Sequence, residues 1–364
     1  MSASPRFHDL RVARVDEEAA GSVAVTLHVP DALRDTFVFE PGQFLTLRTT
    51  IDGQDIRRSY SICSTRGRLR TRGELQVGIR PVEGGVFSNW AVQHLKAGDS
   101  LRVMTPDGRF VIQRPRALHR VGFASGSGIT PILSIVASTL EDQAGTKFTL
   151  VYGNRHMDSV MFNEALQDLK DRYPDRLTLV HVLSRQAQEV DLLQGRIDGD
   201  KVRALIATLL PVKSMDEVFI CGPEAMIEAT EHALVQAGVP ADRIRTERFV
   251  TPGSPAPRGT ATARASETAQ TAPVRLTVVL DGKQHEMGLH PHDTILDVAL
   301  SQGLDLPYSC KGGVCVTCRC KVLEGDVTMD KNFGLDPAEV QQGFVLSCQS
   351  RPITPHLVVS FDER

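Results

Sequence analysis

Short runs of β-branched and apolar residues, separated by turn residues, characterise the chain from about residue 6 to residue 113. The segments 23–29 and 43–48 are rich in Val, Thr and Leu, which favour strands, and Asp52-Gly53 is a hairpin-turn signal. A short helix is expected over about Ser88–Leu95. Closely spaced strands with turns between them predict an antiparallel β-barrel or sandwich for this region.

A different pattern begins near residue 118 and continues to about residue 249. Apolar runs of strand length alternate there with segments of helical length, and this alternation predicts a parallel sheet covered by helices on both faces. A ligand site in such a sheet lies at the carboxyl ends of the strands. The expected strands are 120–124, 148–152, 177–183 and 218–221, and the expected helices are Met161–Lys170, Lys201–Leu209 and Glu224–Ala237.

Residues 251–273 consist mostly of Thr, Ala, Pro, Ser and Gly, a composition that leaves almost nothing to bury. We predict a flexible linker here. Beyond it, a strand pair around Asp281-Gly282 and a helix near Ile295–Gly303 indicate a small α+β domain of the β-grasp type. The predicted domains are 1–115, 116–250 and 274–364, with the linker 251–273 before the last.

Composition and charge exclude several classes of protein. A net charge of −3 at pH 7 and a pI near 6.4 argue against a nucleic-acid-binding protein, which normally has a basic excess. No run approaches the roughly 18 apolar residues of a membrane span, and Met1–Asp9 lacks the apolar core of a signal peptide. The cysteines do not form a disulfide framework, which suits a reducing compartment. We therefore expect a cytoplasmic protein with neither a membrane nor a nucleic acid as partner.

Three cysteines lie in one short loop, Cys310, Cys315 and Cys318, and a fourth, Cys348, follows much later. The spacing C-x4-C-x2-C with a distant fourth cysteine is the plant-type arrangement that holds a 2Fe-2S cluster. The Gly312-Gly313 pair allows positive φ, so that backbone N–H groups can point at the sulfurs. A structural zinc site and unrelated buried cysteines are the alternatives, but zinc sites usually have two closely spaced ligand pairs.

The segment Arg58-Ser59-Tyr60-Ser61 follows the strand series of the first domain. It resembles the Arg-x-Tyr-Ser flavin motif of the ferredoxin-NADP reductase family. The resemblance implies that Tyr60 covers one face of the FAD ring, that Ser61 lies near the reactive ring nitrogen, and that Arg58 neutralises the flavin phosphate. An aromatic side chain stacks well on a flat ring, and a guanidinium binds phosphate with two hydrogen bonds. A tyrosine at a strand end is also common in ordinary packing.

A second candidate cofactor segment, Gly84-Gly85-Val86-Phe87-Ser88, precedes the short helix of the first domain. Glycines that lead into a helix leave backbone N–H groups free to bind an anion, here the FAD pyrophosphate. Gly84, Gly85, Val86 and Ser88 are therefore candidate FAD-binding residues. The alternative is a plain turn in which Ser88 is the helix N-cap.

In the second domain, the segment from Ser125 to Pro131 follows a strand and opens a helix. Close approach of a backbone to a pyrophosphate requires glycine, and Gly126 and Gly128 supply it. The segment resembles the Gly-x-Gly-Ile-x-Pro element of the reductase family, which contacts the nicotinamide nucleotide. This resemblance implies that Thr130 lies near the nicotinamide.

Another strand of the second domain ends at Cys221-Gly222-Pro223, which resembles the family's Cys-Gly-Pro. The resemblance implies that the Cys221 sulfur lies near the carbon that transfers hydride. Ser61 and Cys221 are thus the candidate catalytic residues, and Gly222 is a candidate for nucleotide binding. Packing alone is the ordinary role of a buried free cysteine.

Ser184 and Arg185 follow the predicted strand 177–183, where relatives in the family bind the adenosine ribose. An acidic residue there suits the 2′-hydroxyl of NAD, whereas arginine suits a 2′-phosphate. NADPH is therefore expected as the electron donor, with NADH as the alternative. Arg155 is a second candidate for the phosphate, or a plain surface charge.

The three modules form one electron-transfer chain. NADPH gives up two electrons together as hydride, whereas a 2Fe-2S cluster accepts one at a time. FAD, which can transfer electrons in pairs or singly, must therefore lie between them. Four segments narrow the resemblance to the reductase subunits of phenylacetyl-CoA epoxidases, and they are Arg57–Cys63, Leu193–Gly199, Cys310–Cys315 and Val345–Gln349. This resemblance implies a di-iron oxygenase, the epoxidase subunits, as partner. The alternatives are a reductase of a Rieske-type or other oxygenase, and a redox sensor.

Overall fold

The computed structural model describes residues 7–249 and 274–363. These residues belong to two compact units, one of His8–Ile56 with Tyr60–Phe249, and one of residues 274–363 with Phe7 and Arg57–Ser59. The first unit contains the regions expected to form the barrel and the parallel sheet, and the second contains the cysteine loop. The predicted linker at 251–273 lies outside the described residues.

The N-terminal region folds into a six-stranded sheet with two short helices. Its strands are β1 (Phe7–Glu18), β2 (Ser22–His28), β3 (Phe44–Ile51), β4 (Gln54–Ser61), β5 (Glu74–Ile79) and β6 (Ser100–Met104), and its helices are α1 (Arg66–Arg72) and α2 (Val86–His94). The strand order is β4-β3-β6-β1-β2-β5, and an antiparallel bridge between Ile62 and Val77 joins the two edges. Apolar side chains such as Val25, Leu45 and Leu75 fill the interior.

A five-stranded parallel sheet with helices on both faces follows. Its strands are β7 (His119–Ser125), β8 (Lys147–Asn154), β9 (Leu177–Leu183), β10 (Glu217–Cys221) and β11 (Ile244–Glu247), and its helices are α3 (Ile129–Asp142), α4 (Asn163–Arg172), α5 (Gly199–Thr208) and α6 (Glu224–Gln236). The strand order is β11-β10-β7-β8-β9. The chain leaves β7 toward β8 on one side and later returns to β10 on the other, which makes a crevice at the carboxyl ends of β7 and β10.

At the opposite, amino end of this sheet, a buried ion pair holds the connection from the barrel. Arg120 Nε donates to Glu217 Oε2 at 2.9 Å, and both side chains are at most 1% exposed. Glu217 Oε1 also accepts from the backbone N–H groups of Gln113 (2.6 Å) and Arg114 (2.9 Å). A buried charge without its partner costs about 3–5 kcal/mol, so the pair fixes the segment between β6 and β7 to the sheet.

The C-terminal region is a mixed α+β domain. Its strands are β12 (Val274–Leu280), β13 (Lys283–Leu289), β14 (Arg319–Glu324), β15 (Val327–Met329), β16 (Phe344–Leu346), β17 (Ser350–Pro352) and β18 (His356–Ser360), and its helices are α7 (Ile295–Ser301) and α8 (Pro337–Gln341). The main sheet runs β13-β12-β18-β14-β16, with β12 and β18 parallel at its centre. The cysteine loop connects the end of α7 with β14.

The predicted fold class, an antiparallel β-barrel followed by an α/β parallel-sheet domain and a β-grasp-like domain, is confirmed. Several helix bounds differ from the sequence prediction by about two residues, and the largest differences concern the two short helices of the first domain. Helix α2 begins at Val86, two residues earlier than expected, and α1 was not predicted because Leu69 alone is buried on it. Helix α1 is fixed by its ends, since Thr65 accepts a hydrogen bond from Arg68 N and Gly73 adopts the left-handed conformation. No helix in 7–249 or 274–363 is long and apolar enough to span a bilayer.

Candidate active site and cluster site

The nucleotide loop and Cys221 meet at the crevice between β7 and β10. Cys221 ends β10 and pairs with Ala124 of β7. A Cβ on Gly128 would overlap the carbonyl oxygen of Cys221, so the first turn of α3 can lie against the end of β10 because residue 128 is glycine. The structure therefore brings together the two motifs that the sequence assigned to the nicotinamide nucleotide.

Gly126 sits at the mouth of the same loop with a φ of +53°. Its carbonyl oxygen accepts a hydrogen bond from the Tyr152 hydroxyl at 2.9 Å, which anchors the loop to β8. A Cβ on Gly126 would also lie 2.8 Å from Nη1 of Arg80, which directly follows β5 of the barrel. Sequence reasoning missed Arg80, although a cation just before the Gly84-Gly85 pair was a usable signal.

Ser61 lies beside a carboxyl group that the sequence did not identify. The Ser61 hydroxyl donates to Glu247 Oε2 at 3.5 Å, and Glu247 ends β11 in register with Cys221. Burial raises the pKa of Glu247 to about 8, although the hydrogen bond from Ser61 opposes that shift. Burial also holds the pKa of the Cys221 thiol well above its usual value. A hydroxyl, a carboxyl and a protonated thiol thus face one crevice. The short strand β11 has the sequence Ile-Arg-Thr-Glu, and nothing in that pattern marks Glu247 as a site residue.

Thr130 lies where the barrel meets the nucleotide sheet. It is 2% exposed, and its hydroxyl donates to the Ser127 carbonyl at 3.0 Å. A Cβ on Gly78 of β5 would come within 2.7 Å of Thr130 Cγ2, so the barrel strand approaches α3 closely at this point. Thr130 therefore faces the barrel, as its proposed position near the nicotinamide requires.

The Tyr60 ring lies at the barrel end and is supported by the aromatic face of α2. It is partly exposed, its centroid is 5.5 Å from that of Phe87, and Phe87 in turn packs against Trp90 at 5.7 Å. The guanidinium of Arg58 donates to the Arg57 carbonyl at 2.7 Å. Tyr60 and α2 are thus in contact, which places the tyrosine of the flavin motif beside the Gly84–Ser88 segment.

The start of α2 fits an anion. Its N-cap is Gly85, which provides no side-chain hydrogen bond, and Gly84 has a φ of +71°. Ser88 is inside the helix, where its hydroxyl accepts from Val82 N at 3.4 Å, so the alternative in which Ser88 caps the helix is wrong. Backbone N–H groups at the first turn are left for a phosphate, which is the fit that a FAD pyrophosphate requires.

Ser184 and Arg185 lie beyond the end of β9, at the outer edge of the parallel sheet. Ser184 N donates to the Asn154 carbonyl at 2.9 Å, and Arg185 N donates to the Arg155 carbonyl at the same distance. Arg155 and Arg185 therefore leave the carboxyl edge side by side. The crevice at β7 and β10 lies two strands away, so an extended dinucleotide could reach both places.

The four cysteines of the second unit form two pairs. Cys310 lies beside Cys315 and Cys318 lies beside Cys348, close enough for each thiol to shift the pKa of its neighbour. No group of three or more His, Cys, Asp or Glu residues in 7–249 or 274–363 is placed to hold a single metal ion. Two pairs of thiols nevertheless suit a two-iron cluster, because each of its irons needs two protein ligands.

The cluster loop also provides donors to sulfur. The N–H groups of Gly312 and Cys315 point at Cys310 Sγ, at 3.3 and 3.5 Å. The neighbouring Cys315 side chain and the backbone N–H groups lower the pKa of Cys310, which favours the thiolate that iron requires. By contrast, burial raises the pKa of Cys320, which is fully buried in β14.

Comparison with known proteins agrees with this division of the chain. Family profiles match three regions: the oxidoreductase FAD-binding domain at residues 17–112, the oxidoreductase NAD-binding domain at 123–232, and the 2Fe-2S iron-sulfur cluster binding domain at 278–352. The expected cofactors, FAD and a 2Fe-2S cluster with a nicotinamide nucleotide as substrate, are thereby confirmed.

Two relatives match along nearly their whole length. One subunit of the 1,2-phenylacetyl-CoA epoxidase from Escherichia coli (strain K12) is 46% identical over 362 residues, 98% of each chain. The ferredoxin reductase component of 3-ketosteroid-9-alpha-monooxygenase from Rhodococcus rhodochrous is 37% identical over 355 residues, 97% of this chain and 96% of that protein.

Two solved structures share the fold. Phthalate dioxygenase reductase matches with a TM-score of 0.61 and 21% identity, over 97% of this chain and 98% of that one. An intact type IV self-sufficient cytochrome P450 monooxygenase matches with a TM-score of 0.67 and 22% identity, where 97% of this chain corresponds to 41% of that chain. The chain thus belongs to the family of modular oxidoreductases that join a FAD-binding, a NAD-binding and a C-terminal 2Fe-2S domain as reductase components of multicomponent oxygenases.

Proposed function

We propose that this chain is the reductase component of a phenylacetyl-CoA epoxidase, passing electrons from NADPH through FAD and a 2Fe-2S cluster to the di-iron oxygenase subunits. One observation carries the proposal: the 46% identity to the Escherichia coli epoxidase protein extends over 98% of both chains and therefore includes all three domains. The identity to the 3-ketosteroid monooxygenase component is lower, at 37%.

In this proposal, the barrel holds FAD. The Tyr60 ring covers one face of the flavin, Arg58 contacts its phosphate, and the start of α2 at Gly84–Ser88 binds the pyrophosphate through backbone N–H groups. Bound FAD supplies the exchange between two-electron hydride transfer and one-electron transfer. The support for this arrangement is the contact between Tyr60 and Phe87 and the uncapped start of α2.

The crevice between β7 and β10 receives the nicotinamide. Gly126 and Gly128 allow the backbone to approach the pyrophosphate, while Thr130 and Cys221 border the ring. Ser61 holds a hydrogen bond to Glu247 Oε2 at the same place. Glu247 carries its proton below about pH 8, so near neutral pH the crevice contains no fixed negative charge from this residue.

NADPH is the proposed electron donor. Arg185 and Arg155 leave neighbouring strand ends, joined by the hydrogen bond from Arg185 N to the Arg155 carbonyl. Two guanidinium groups at the ribose position suit a 2′-phosphate, and the neighbouring Ser184 adds a hydroxyl and no negative charge. In the second unit, Cys310, Cys315, Cys318 and Cys348 are the proposed cluster ligands.

A coupled-turnover experiment tests the proposal. Purified protein, NADPH and oxygen are supplied either with the di-iron epoxidase subunits and phenylacetyl-CoA, or with a Rieske-type oxygenase and its own substrate. We expect oxygenated product to form in proportion to the NADPH consumed in the epoxidase reaction only. Efficient oxidation of NADPH without epoxide would contradict the partner assignment and leave the electron-transfer role intact.

A further inference from the structure

We propose that Gln349 is a positioning residue of the cluster site, which raises the reduction potential of the cluster by donating a hydrogen bond to Cys348 and by tying Cys348 to the cluster loop. The inference rests on the proposed ligation by the four cysteines. Gln349 was noted in the sequence only as part of the Val345–Gln349 resemblance, and no cofactor motif includes it.

The carboxamide of Gln349 lies between the two chain segments that carry the thiols. Its Nε2 donates to the Lys311 carbonyl at 3.0 Å and to the Cys348 carbonyl at 2.9 Å. The Cys348 sulfur lies 3.6 Å from the same nitrogen. The loop that begins at Cys310 and the distant fourth cysteine are therefore joined through this one side chain.

The orientation of this carboxamide follows from its partners. Both carbonyl oxygens can only accept hydrogen bonds, so the nitrogen of Gln349, and not its oxygen, must face them. Two N–H hydrogens serve three acceptors here, so the Cys348 sulfur, 3.6 Å from Nε2, shares one of them with a carbonyl oxygen. A carboxamide turned the other way would place three acceptors together in a buried site.

The residue is held firmly in this position. Gln349 is 8% exposed, its backbone N–H donates to the Leu346 carbonyl at 2.8 Å, and its carbonyl accepts from Asp330 N at 2.9 Å. A Cβ on Gly313 would lie 3.3 Å from Gln349 Cγ, so the side chain packs directly on the glycine turn of the cluster loop. Burial and these contacts leave the amide little freedom to turn toward solvent.

An N–H donor at a ligand sulfur changes the equilibrium between oxidation states. Reduction adds negative charge to the cluster and its sulfurs, and a hydrogen bond to a sulfur stabilises that charge. The donor therefore favours the reduced cluster and raises its potential. Loss of the donor shifts the potential downward, which makes the cluster a weaker acceptor of electrons from the flavin.

The test measures the potential of the cluster in the full-length holoprotein. Gln349→Met keeps the side-chain length and removes the donor, and Gln342→Met is the matched control on an exposed glutamine at the end of α8. A redox titration that is monitored by electron paramagnetic resonance gives the midpoint potential of the cluster in each protein. At the wild-type midpoint, we expect the ratio of reduced to oxidised cluster in Gln349→Met to be about tenfold lower, a shift of about 59 mV for a one-electron couple.

The control and a second variant keep the inference falsifiable. Gln342→Met should match the wild type, and Gln349→Glu, which replaces the donor with an acceptor, should shift the midpoint in the same direction as Gln349→Met. If Gln349→Met does not assemble a cluster, the midpoint potential of Gln349→Glu tests the inference in its place. A wild-type midpoint and unchanged g-values in an assembled Gln349 variant would overturn the inference. Absence of a 2Fe-2S signal from the wild-type protein would instead contradict the proposed ligation.

Discussion

The cluster loop and the hydride-transfer crevice are built in opposite ways. In the loop, the cysteines and the backbone N–H groups that face them lie mostly within nine consecutive residues, from Cys310 to Cys318. The crevice instead collects Ser61, Thr130, Cys221 and Glu247 from separate segments, and Ser61 and Glu247 are 186 positions apart. The loop depends on local backbone geometry, whereas the crevice depends on the packing of a barrel against a parallel sheet.

The two sites also differ in whether their hydrogen-bonding groups titrate. The described donors to sulfur in the loop are N–H groups, which do not titrate. In the crevice, a carboxyl with a pKa of about 8 is hydrogen-bonded to Ser61. We therefore expect pH to act on the hydride step, where two electrons move with a proton equivalent, through Glu247.

Loss of one cluster ligand should have the largest effect and should separate the two sites completely. We expect Cys318→Ser to abolish electron delivery to an oxygenase while NADPH-dependent reduction of ferricyanide by the flavin continues, because the crevice shares no residue with the loop. Visible absorbance measures the cluster content, and separate assays measure electron delivery to the oxygenase and reduction of ferricyanide. Cys320→Ala, two positions along and fully buried, is the control and should keep the cluster. Parallel loss of both activities in Cys318→Ser would show that the sites are not independent.

The buried ion pair provides the next largest effect, because the crevice depends on distant packing. Arg120→Met leaves Glu217 buried without its partner, and we expect the barrel and parallel sheet to lose about 3 kcal/mol of stability. Thermal release of flavin fluorescence measures the change, and cluster absorbance should be unaffected at lower temperature. Arg203→Met removes an exposed pair with Asp200 and should cost less than about 1 kcal/mol. Equal effects of the two substitutions would contradict this interpretation.

The pH dependence of flavin reduction tests the role of Glu247. Its pKa is raised, so the carboxyl is neutral below about pH 8 and negatively charged above it. Negative charge in the crevice opposes the charge that arrives with hydride, so the rate of flavin reduction by NADPH should fall as pH rises through about 8. Stopped-flow measurements should show an approximately tenfold change. The rate in Glu247→Gln should show no such step. A pH profile identical to that of the wild type would exclude Glu247 as the group responsible.

Selectivity for the nucleotide should show the smallest effect. Arg185 is exposed, so its interaction with a 2′-phosphate is worth about 1 kcal/mol. We expect Arg185→Ala to raise the KM for NADPH about fivefold and to leave the KM for NADH unchanged. Arg203→Ala, on α5, serves as the control. An equal rise for both nucleotides would place Arg185 outside the phosphate site.

The same contrast explains what could be predicted from the sequence. The cluster site was foreseen from its spacing because its geometry is local, and the alternation of strands and helices predicted the parallel sheet. Glu247 and Arg80 were missed because each reaches its site only through tertiary packing. Glu247 has no motif around it, and the glycine pair that follows Arg80 does not reveal that this side chain meets the nucleotide loop. Helix α1 was missed for a different reason, since its capping residues, and not an apolar stripe, define it.

Gln349 falls between these cases. It directly follows a cysteine that spacing identified, so its proximity to the cluster site was evident from the sequence. The direction of its carboxamide depends on the Lys311 carbonyl, 38 positions away, which no local pattern reveals. Residues that act through a ligand are therefore harder to predict than the ligands themselves.

The most direct test of the relay compares holoprotein with flavin-free protein after anaerobic mixing with NADPH. Cluster reduction is followed by electron paramagnetic resonance of samples frozen at successive times. We predict that the cluster is reduced rapidly when FAD is present, remains oxidised in the flavin-free protein, and is reduced again after FAD is restored. Reduction of the cluster at the same rate without FAD would contradict the order nicotinamide, flavin, cluster.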